Sequence, residues 1–255
     1  MRSSIFAKFT VSFIAAGLVP LLIISYFSLS TFSGYMERYA VGNFEQMLLF
    51  AGKNVEDLHN KYNTISKLMY TYGVDGYGQL GEAITAQSSA GDRRLRSTVD
   101  DFLRTVLYSD NHLQNTAFVM PGGQIQWLHK ETKALDSQYA YPPDDWAEQL
   151  KNKPKGLAFA PTHPEKYFIG SNQRVITFGR NLVDVNAPVN AEASVIGMLF
   201  MDVKMSAFEE VFNQMKLGEK DEVYVIDGEG YVLYSNKPDK IGIRYDVRQS
   251  EDSYI

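Results

Sequence analysis

The chain has 255 residues, room for two modest domains, and at 45% hydrophobic, 22% charged and 13% aromatic its composition excludes global disorder. It holds no cysteine, which excludes a disulfide framework, a thiolate metal site and a cysteine nucleophile. A net charge of −5 with no long run of like charges argues against a nucleic-acid partner.

Residues 9–36 contain no charged side chain, and residues 9–29 are densely apolar. As a helix those 21 residues extend about 32 Å at roughly 1.5 Å each, close to the ~30 Å hydrocarbon core of a bilayer. Pro20 is tolerated in such a span. A cleaved signal peptide usually has an apolar stretch of only about 7–15 residues, and no convincing small-x-small cleavage site sits where one should. The sequence therefore predicts a membrane helix over residues 9–32, against the competing readings of a signal peptide and a buried core helix. Arg2 and Lys8 precede it and put residues 1–8 in the cytoplasm, which leaves everything after about residue 33 outside.

A long extracytoplasmic helix is expected over residues 33–75. Phe44, Leu48, Ala51, Val55, Leu58, Tyr62, Ile65, Met69 and Tyr72 alternate spacings of four and three, a seam along one helix face. The seam fits a helix lying on a globular domain, and also a stalk paired with its twin in a homodimer. Gly42 and Gly52 each weaken a self-standing coil by up to ~1 kcal/mol relative to alanine.

A second helix is predicted over residues 93–107, with Leu95, Val99, Phe102, Leu103 and Val106 on one side. Then AFVM (117–120) reads as a strand, PGGQ as a turn and IQWLH (125–129) as the returning strand. Tyr141-Pro142-Pro143 breaks the chain, and Asp144 or Asp145 is placed to cap a short helix through residue 150. Strands follow at 157–160, 174–182 and 194–205. An amphipathic helix over 205–217 carries Phe208, Val211, Phe212 and Met215 and is expected to end at Gly218. VYVI-DGEG-YVLYS (223–235) then repeats the pattern of the hairpin at 117–129 at an offset of 106 positions. Two like hairpins suggest two like lobes, each begun by one copy: a lobe over 76–205, a connecting helix over 206–220 and a second lobe starting at 221–255.

Anchor, long helix and two PAS-like lobes together resemble a double-Cache extracytoplasmic sensor domain. The resemblance is carried by GMLFMDVKMSAFEEVF and GEKDEVYVIDGEGYVLYS, and covers about residues 33–255. DDFLRTVLYSDNHLQNTAFVMPGG is similar to the N-terminal part of YesM-like sensor histidine kinases. Chemoreceptors and diguanylate cyclases carry such domains as well. The resemblance implies an α+β fold with antiparallel sheets, whose second lobe is incomplete at Ile255. It also implies a further membrane span and an output module beyond that residue, with a response regulator as partner if the output is a kinase.

Sequence offers no catalytic motif: GxSxG, GxxxxGK[ST] and HExxH are all missing. His59, His112, His129 and His163 are far apart in sequence and read as surface or packing residues. Asp227-Gly228-Glu229-Gly230 lacks the alternating ligands of an EF-hand and reads as a hairpin turn. No metal or cofactor is expected. A small-molecule pocket is the better candidate, since pockets pair aromatic walls with a few convergent polar groups. Trp127, Tyr141, Trp146, Tyr167, Arg180 and Asp202 are the candidate ligand-binding residues, with Tyr139, Phe178, Arg174, Asp144 and Asp145 as neighbours in the same lobe. Amino-acid-binding double-Cache domains resemble one another in an Arg-x-Trp-Tyr element and a later Asp. Asp202 matches the Asp, but Asp144-Asp145-Trp146-Ala147 lacks both the Arg and the Tyr. A sugar or another small polar molecule is therefore an open alternative to an amino acid, and a membrane-anchored binding module or exterior enzyme an alternative to a receptor.

Overall fold

The computed structural model describes residues 5–86, 93–186, 194–213, 215, 218 and 221–245. The chain divides into two compact units, Met1–Lys53 and Asn54–Ile255.

In the first unit α1 (Ile5–Phe13) leads through a π-helical turn, Ile14–Leu18, into α2 (Val19–Ser66), whose residues continue into the second unit. The π turn explains how Pro20 is accommodated. A proline gives no N–H and crowds the carbonyl four residues back, and widening the preceding turn, with Val19 N–H bonded to Ile14 O, relieves that crowding without breaking the helix. The helix over Ala7–Thr71 contains a stretch long and apolar enough to cross a membrane, none of it buried.

In the second unit the seam of the long helix is buried at Tyr62, Ile65 and Met69. The helix is not continuous to residue 75 as expected. It ends at Ser66, and a short α3 (Leu68–Thr71) follows a turn at Lys67. A two-stranded hairpin, β1 (Gly73–Val74) and β2 (Gly78–Gln79), and α4 (Leu80–Ala86) come next. Then α5 runs over Arg93–Leu107, with the predicted bounds and the predicted buried side.

The centre of the unit is a five-stranded antiparallel sheet of β3 (Leu113–Val119), β4 (Ile125–His129), β5 (Leu157–Pro164), β6 (Arg174–Val183) and β7 (Val195–Lys204), in the order β4-β3-β7-β6-β5. Side chains alternate between its faces. One face meets helices: Phe178 stacks on Tyr62 at 5.1 Å between ring centroids, and Phe118 meets Phe102 of α5 edge-on. The other face carries Ala117, Val119, Ala158, Ala160 and Phe200, covered by Trp146 and Leu150 of α6 (Asp144–Asn152) and by Tyr167 and Phe168. Pro143, not Asp144 or Asp145, occupies the N-cap of α6; the two aspartates lie in its first turn, where they favour the helix dipole instead.

After β7, α7 covers Ser206–Phe212 and ends there, short of Gly218, whose N–H turns back to Asp221 Oδ2. Residues 214, 216 and 217 of the predicted helix lie outside the described residues. The hairpin of β8 (Tyr224–Ile226) and β9 (Val232–Ser235) forms its own two-stranded sheet. Its turn is a hairpin turn in which Asp227 Oδ1 accepts from the N–H groups of Glu229 and Tyr231. The two hairpins do match, but one residue out of the expected alignment. Met120 N–H to Gln124 O and Gly123 N–H to Met120 O correspond to Asp227 N–H to Tyr231 O and Gly230 N–H to Asp227 O, an offset of 107. The second hairpin is tied to the large sheet by Thr162 Oγ1 donating to Leu233 O, and to α7 by Phe212 stacking on Tyr234 at 4.7 Å.

Candidate ligand site

Register builds the site. Asn115 pairs with His129 across β3 and β4, and with Asp202 across β3 and β7. Asp202 in turn pairs with Thr177 of β6. The result is one polar rung, His129–Asn115–Asp202–Thr177, across four strands of an otherwise apolar face. Asp202 is fully buried and accepts from Asn115 Nδ2, Tyr167 OH and Thr177 Oγ1. Glu165, in the segment after β5, is also fully buried and accepts from Asn115 Nδ2 at 2.7 Å and from Ser171 Oγ. The orientation of the Asn115 amide follows, because only its NH2 can face two carboxylates.

The histidine tautomer also follows from its partners. Glu131 N–H donates to His129 Nδ1 at 2.9 Å, so the ring hydrogen sits on Nε2, which lies 3.4 Å from Glu165 Oε2. Among the described residues no lysine or arginine is hydrogen-bonded to Asp202 or Glu165. Burial pushes the Asp202 carboxyl above the usual carboxylate range, against the lowering effect of His163 and of its three donors. Burial, followed by the nearby Asp202 charge, pushes the Tyr141 and Tyr167 hydroxyls well above theirs.

An aromatic wall separates the rung from solvent. Tyr141 lies 5.0 Å from Tyr167 and 6.1 Å from Trp146 between ring centroids, and its buried hydroxyl has no hydrogen-bond partner. Outside this wall opens a cleft of about 460 Å³ lined by Asp145, Trp146, His163, Lys166 and Tyr167, and by Tyr231 from the second hairpin. Among the described residues no group of three His, Asp or Glu side chains is arranged to hold a metal ion.

Of the six candidates read from sequence, the fold brings Tyr141, Trp146, Tyr167 and Asp202 together. Trp127 lies on the same face but on the edge strand β4, 38% exposed, with its indole N–H on Lys133 O. Arg180 is on the opposite face, where Nε donates to Ser66 Oγ at 2.7 Å, Nη1 to Lys155 O at 2.9 Å and Nη2 to Asn63 Oδ1. Among the neighbours, Phe178 faces the helices, Tyr139 is exposed and Arg174 donates to Pro238 O at 3.0 Å. Sequence reasoning missed Asn115, Glu165, Thr177 and the two histidines of the site. The one available signal was the polar triplet Gln114-Asn115-Thr116 just before an apolar strand, which is fully buried inside β3.

A long helix followed by an antiparallel sheet, with helices on one face and a polar rung beneath an aromatic cleft on the other, defines the class: an α+β fold of the PAS-like kind. Solved chemoreceptor domains share it. The chain is similar to the ligand-binding domain of the Campylobacter jejuni chemoreceptor Tlp3 in complex with L-norvaline (16% identity, 79% of this chain and 71% of that one, TM-score 0.53). It is similar to the Pseudomonas aeruginosa PAO1 amino acid chemoreceptor PctB domain in complex with L-Gln (14% identity, 78% and 69%, TM-score 0.53). It also resembles the Pseudomonas fluorescens CtaA domain in complex with L-serine (7% identity, 86% and 82%, TM-score 0.54). At these identities the likeness is one of fold. No protein-family model matches the chain, and no curated protein matches it by sequence.

Proposed function

We propose that the chain is the ligand-sensing part of a transmembrane receptor, extracytoplasmic beyond about residue 33, and that its ligand is a small molecule bearing an ammonium group. The observation that carries this reading is the rung: two fully buried carboxylates with, among the described residues, no lysine or arginine hydrogen-bonded to them, behind a cleft walled by Trp146 and Tyr167. Buried charge needs a partner, and aromatic faces attract cations. The fold neighbours solved with L-norvaline, L-Gln and L-serine hold ligands that share an amine. Lys166 lines the outer cleft and is placed to receive a ligand's carboxylate. A sugar would stack on the same aromatic rings but offers the rung no positive charge.

Binding would act on the N-terminal helix and through it on an output module across the membrane, in a homodimer joined along the part of the seam before Tyr62, which is itself buried against Phe178. A ligand shifts such an equilibrium only through differential affinity for its two states. The fold neighbours are chemoreceptor domains, which supports a chemoreceptor output at least as well as a YesM-like histidine kinase acting on a response regulator. A thermal-shift screen of amines, amino acids and sugars on the chain in lipid nanodiscs tests the ligand class. Binding at a hundred times Kd adds about 2.7 kcal/mol of stability, readily seen as a raised melting temperature. Hits confined to compounds with a primary or quaternary ammonium are expected; hits confined to sugars would overturn the reading.

A further inference from the structure

Asp202 and His163 are joined through one hydroxyl. Thr177 Oγ1 donates to Asp202 Oδ1 and lies 2.9 Å from His163 Nε2. The other ring nitrogen, Nδ1, lies 3.2 Å from Pro164 O, which can only accept, so Nδ1 carries a hydrogen. A threonine hydroxyl has one hydrogen to give. Two arrangements then fill every position. In the first, Nε2 also carries a hydrogen and donates to Thr177, which donates to an ionised Asp202. In the second, Nε2 is bare and accepts from Thr177, whose oxygen accepts from a protonated Asp202. Each holds one movable proton. With no such proton, the single Thr177 hydrogen faces two acceptors and leaves one of them unpaired beside the core, an unfavourable state.

We propose that His163, Thr177 and Asp202 form a proton-exchange site through which the cleft sets the charge of the buried carboxylate. This rests on the reading of the rung as the end of the site that receives an ammonium group. In the transfer the Nε2 proton passes to Thr177 Oγ1 while the Thr177 proton passes to Asp202 Oδ1, so imidazolium and carboxylate become imidazole and carboxylic acid with no net change in protons. An arriving ammonium group requires the ionised carboxylate and drives the reverse transfer. The proton then sits on His163 at the cleft wall, where water can take it. Cation and proton therefore compete for Asp202, and the receptor's response depends on the pH outside the membrane.

The groups facing this chain are consistent with that role. Tyr167 donates to Asp202, Tyr141 stands close enough to feel its charge, and Asn115 links it to Glu165, behind which lies His129. His163 faces the rings of Trp146 at 5.1 Å and Tyr167 at 6.0 Å, with Asp145 and Lys166 as the charged groups of the same cleft. None of the facing side chains that touch Asp202 is a fixed cation.

The test needs no ligand. In the full chain in lipid nanodiscs, the carboxylic-acid infrared band of Asp202, assigned with Asp202→Asn, and the ring-nitrogen NMR signals of His163, assigned with His163→Gln, are followed across the pH range of the folded state. Two groups sharing one proton report the same macroscopic titration, so both signals are expected to change in one common step. Thr177→Val should split it into two steps and Thr177→Ser should keep it single. If Asp202→Asn does not fold, isotope-labelled aspartate with Thr177→Val assigns the band. Separate steps in the wild type, or a common step that survives Thr177→Val, would overturn the proposal. A failure of every amine to bind would instead strike the ligand class and leave this titration as it is.

Discussion

Arg180 fastens the end of α2 to the sheet with no acid among its hydrogen-bond partners in the described residues, and replacing it with lysine separates geometry from charge. Arg180 is 3% exposed, and its guanidinium reaches three acceptors, Ser66 Oγ, Asn63 Oδ1 and Lys155 O. Burial pushes its pKa below the ordinary arginine value, so the site is already unfavourable for a cation that is not well hydrogen-bonded. A guanidinium spreads its donors over three nitrogens; an ammonium has one nitrogen and cannot reach acceptors both on α2 and in the segment before β5. Arg180→Lys should therefore lose two of the three bonds. At about 1.5–3 kcal/mol for a bond to a charged group, the loss is at least ~3 kcal/mol. For a unit of roughly 200 residues this lowers the melting temperature by about 6–12 °C. Ser66→Ala, which removes one acceptor, should cost about half as much. The assay is thermal unfolding of the chain in nanodiscs, with amide exchange read at residues 63–66, where protection should fall first. Melting of Arg180→Lys within about 2 °C of the wild type would refute the view that this fork holds helix to sheet.

Gly197 faces Phe118 so closely that a Cβ would come within 2.7 Å of Cε1 and nearer still to Cζ, and Phe118 is fully buried. Gly197→Ala should cost about 1–3 kcal/mol through overpacking, largely recovered in Gly197→Ala/Phe118→Leu, as denaturant midpoints would report. Burial raises the Asp202 carboxyl above its unfolded value, so over that interval the folded chain holds a proton the unfolded chain has released. Stability of the ligand-free protein is then fully present below the ordinary carboxylate range and falls as pH rises through the raised value. Asp202→Asn should flatten this fall in urea titrations across pH; an unchanged slope would assign it to another group.

Periodicity made the helices legible. The stripe from Leu95 to Val106 sets the face and the bounds of α5, because burial against β3 and β4 is what the stripe is for. Turn chemistry made both hairpins legible. The end of α2 was not, since Ser66 and Lys67 interrupt no apolar spacing; the break comes where Ser66 turns to meet Arg180. The aromatic half of the site could be named from composition, but its polar half depends on register. Asn115, Asp202 and Thr177 lie far apart in the sequence and become neighbours only when β3, β7 and β6 are in phase. Arg180 and Phe178 show the same limit in reverse. They lie three residues and one residue from Thr177 along β6, yet alternation turns them to the helix face.

The central claim is that Asp202 receives a positive charge from the ligand. Its most direct test is a calorimetric titration of the chain in nanodiscs with the strongest amine from the screen and with the N-acetyl form of that amine, each repeated on Asp202→Asn. Removing one partner of a buried, hydrogen-bonded charge pair costs about 2–5 kcal/mol, so acetylation and Asp202→Asn should each weaken binding at least about thirtyfold. The two changes together should be little worse than either alone. Equal affinity for the amine and its acetyl form, or full affinity in Asp202→Asn, would contradict the account.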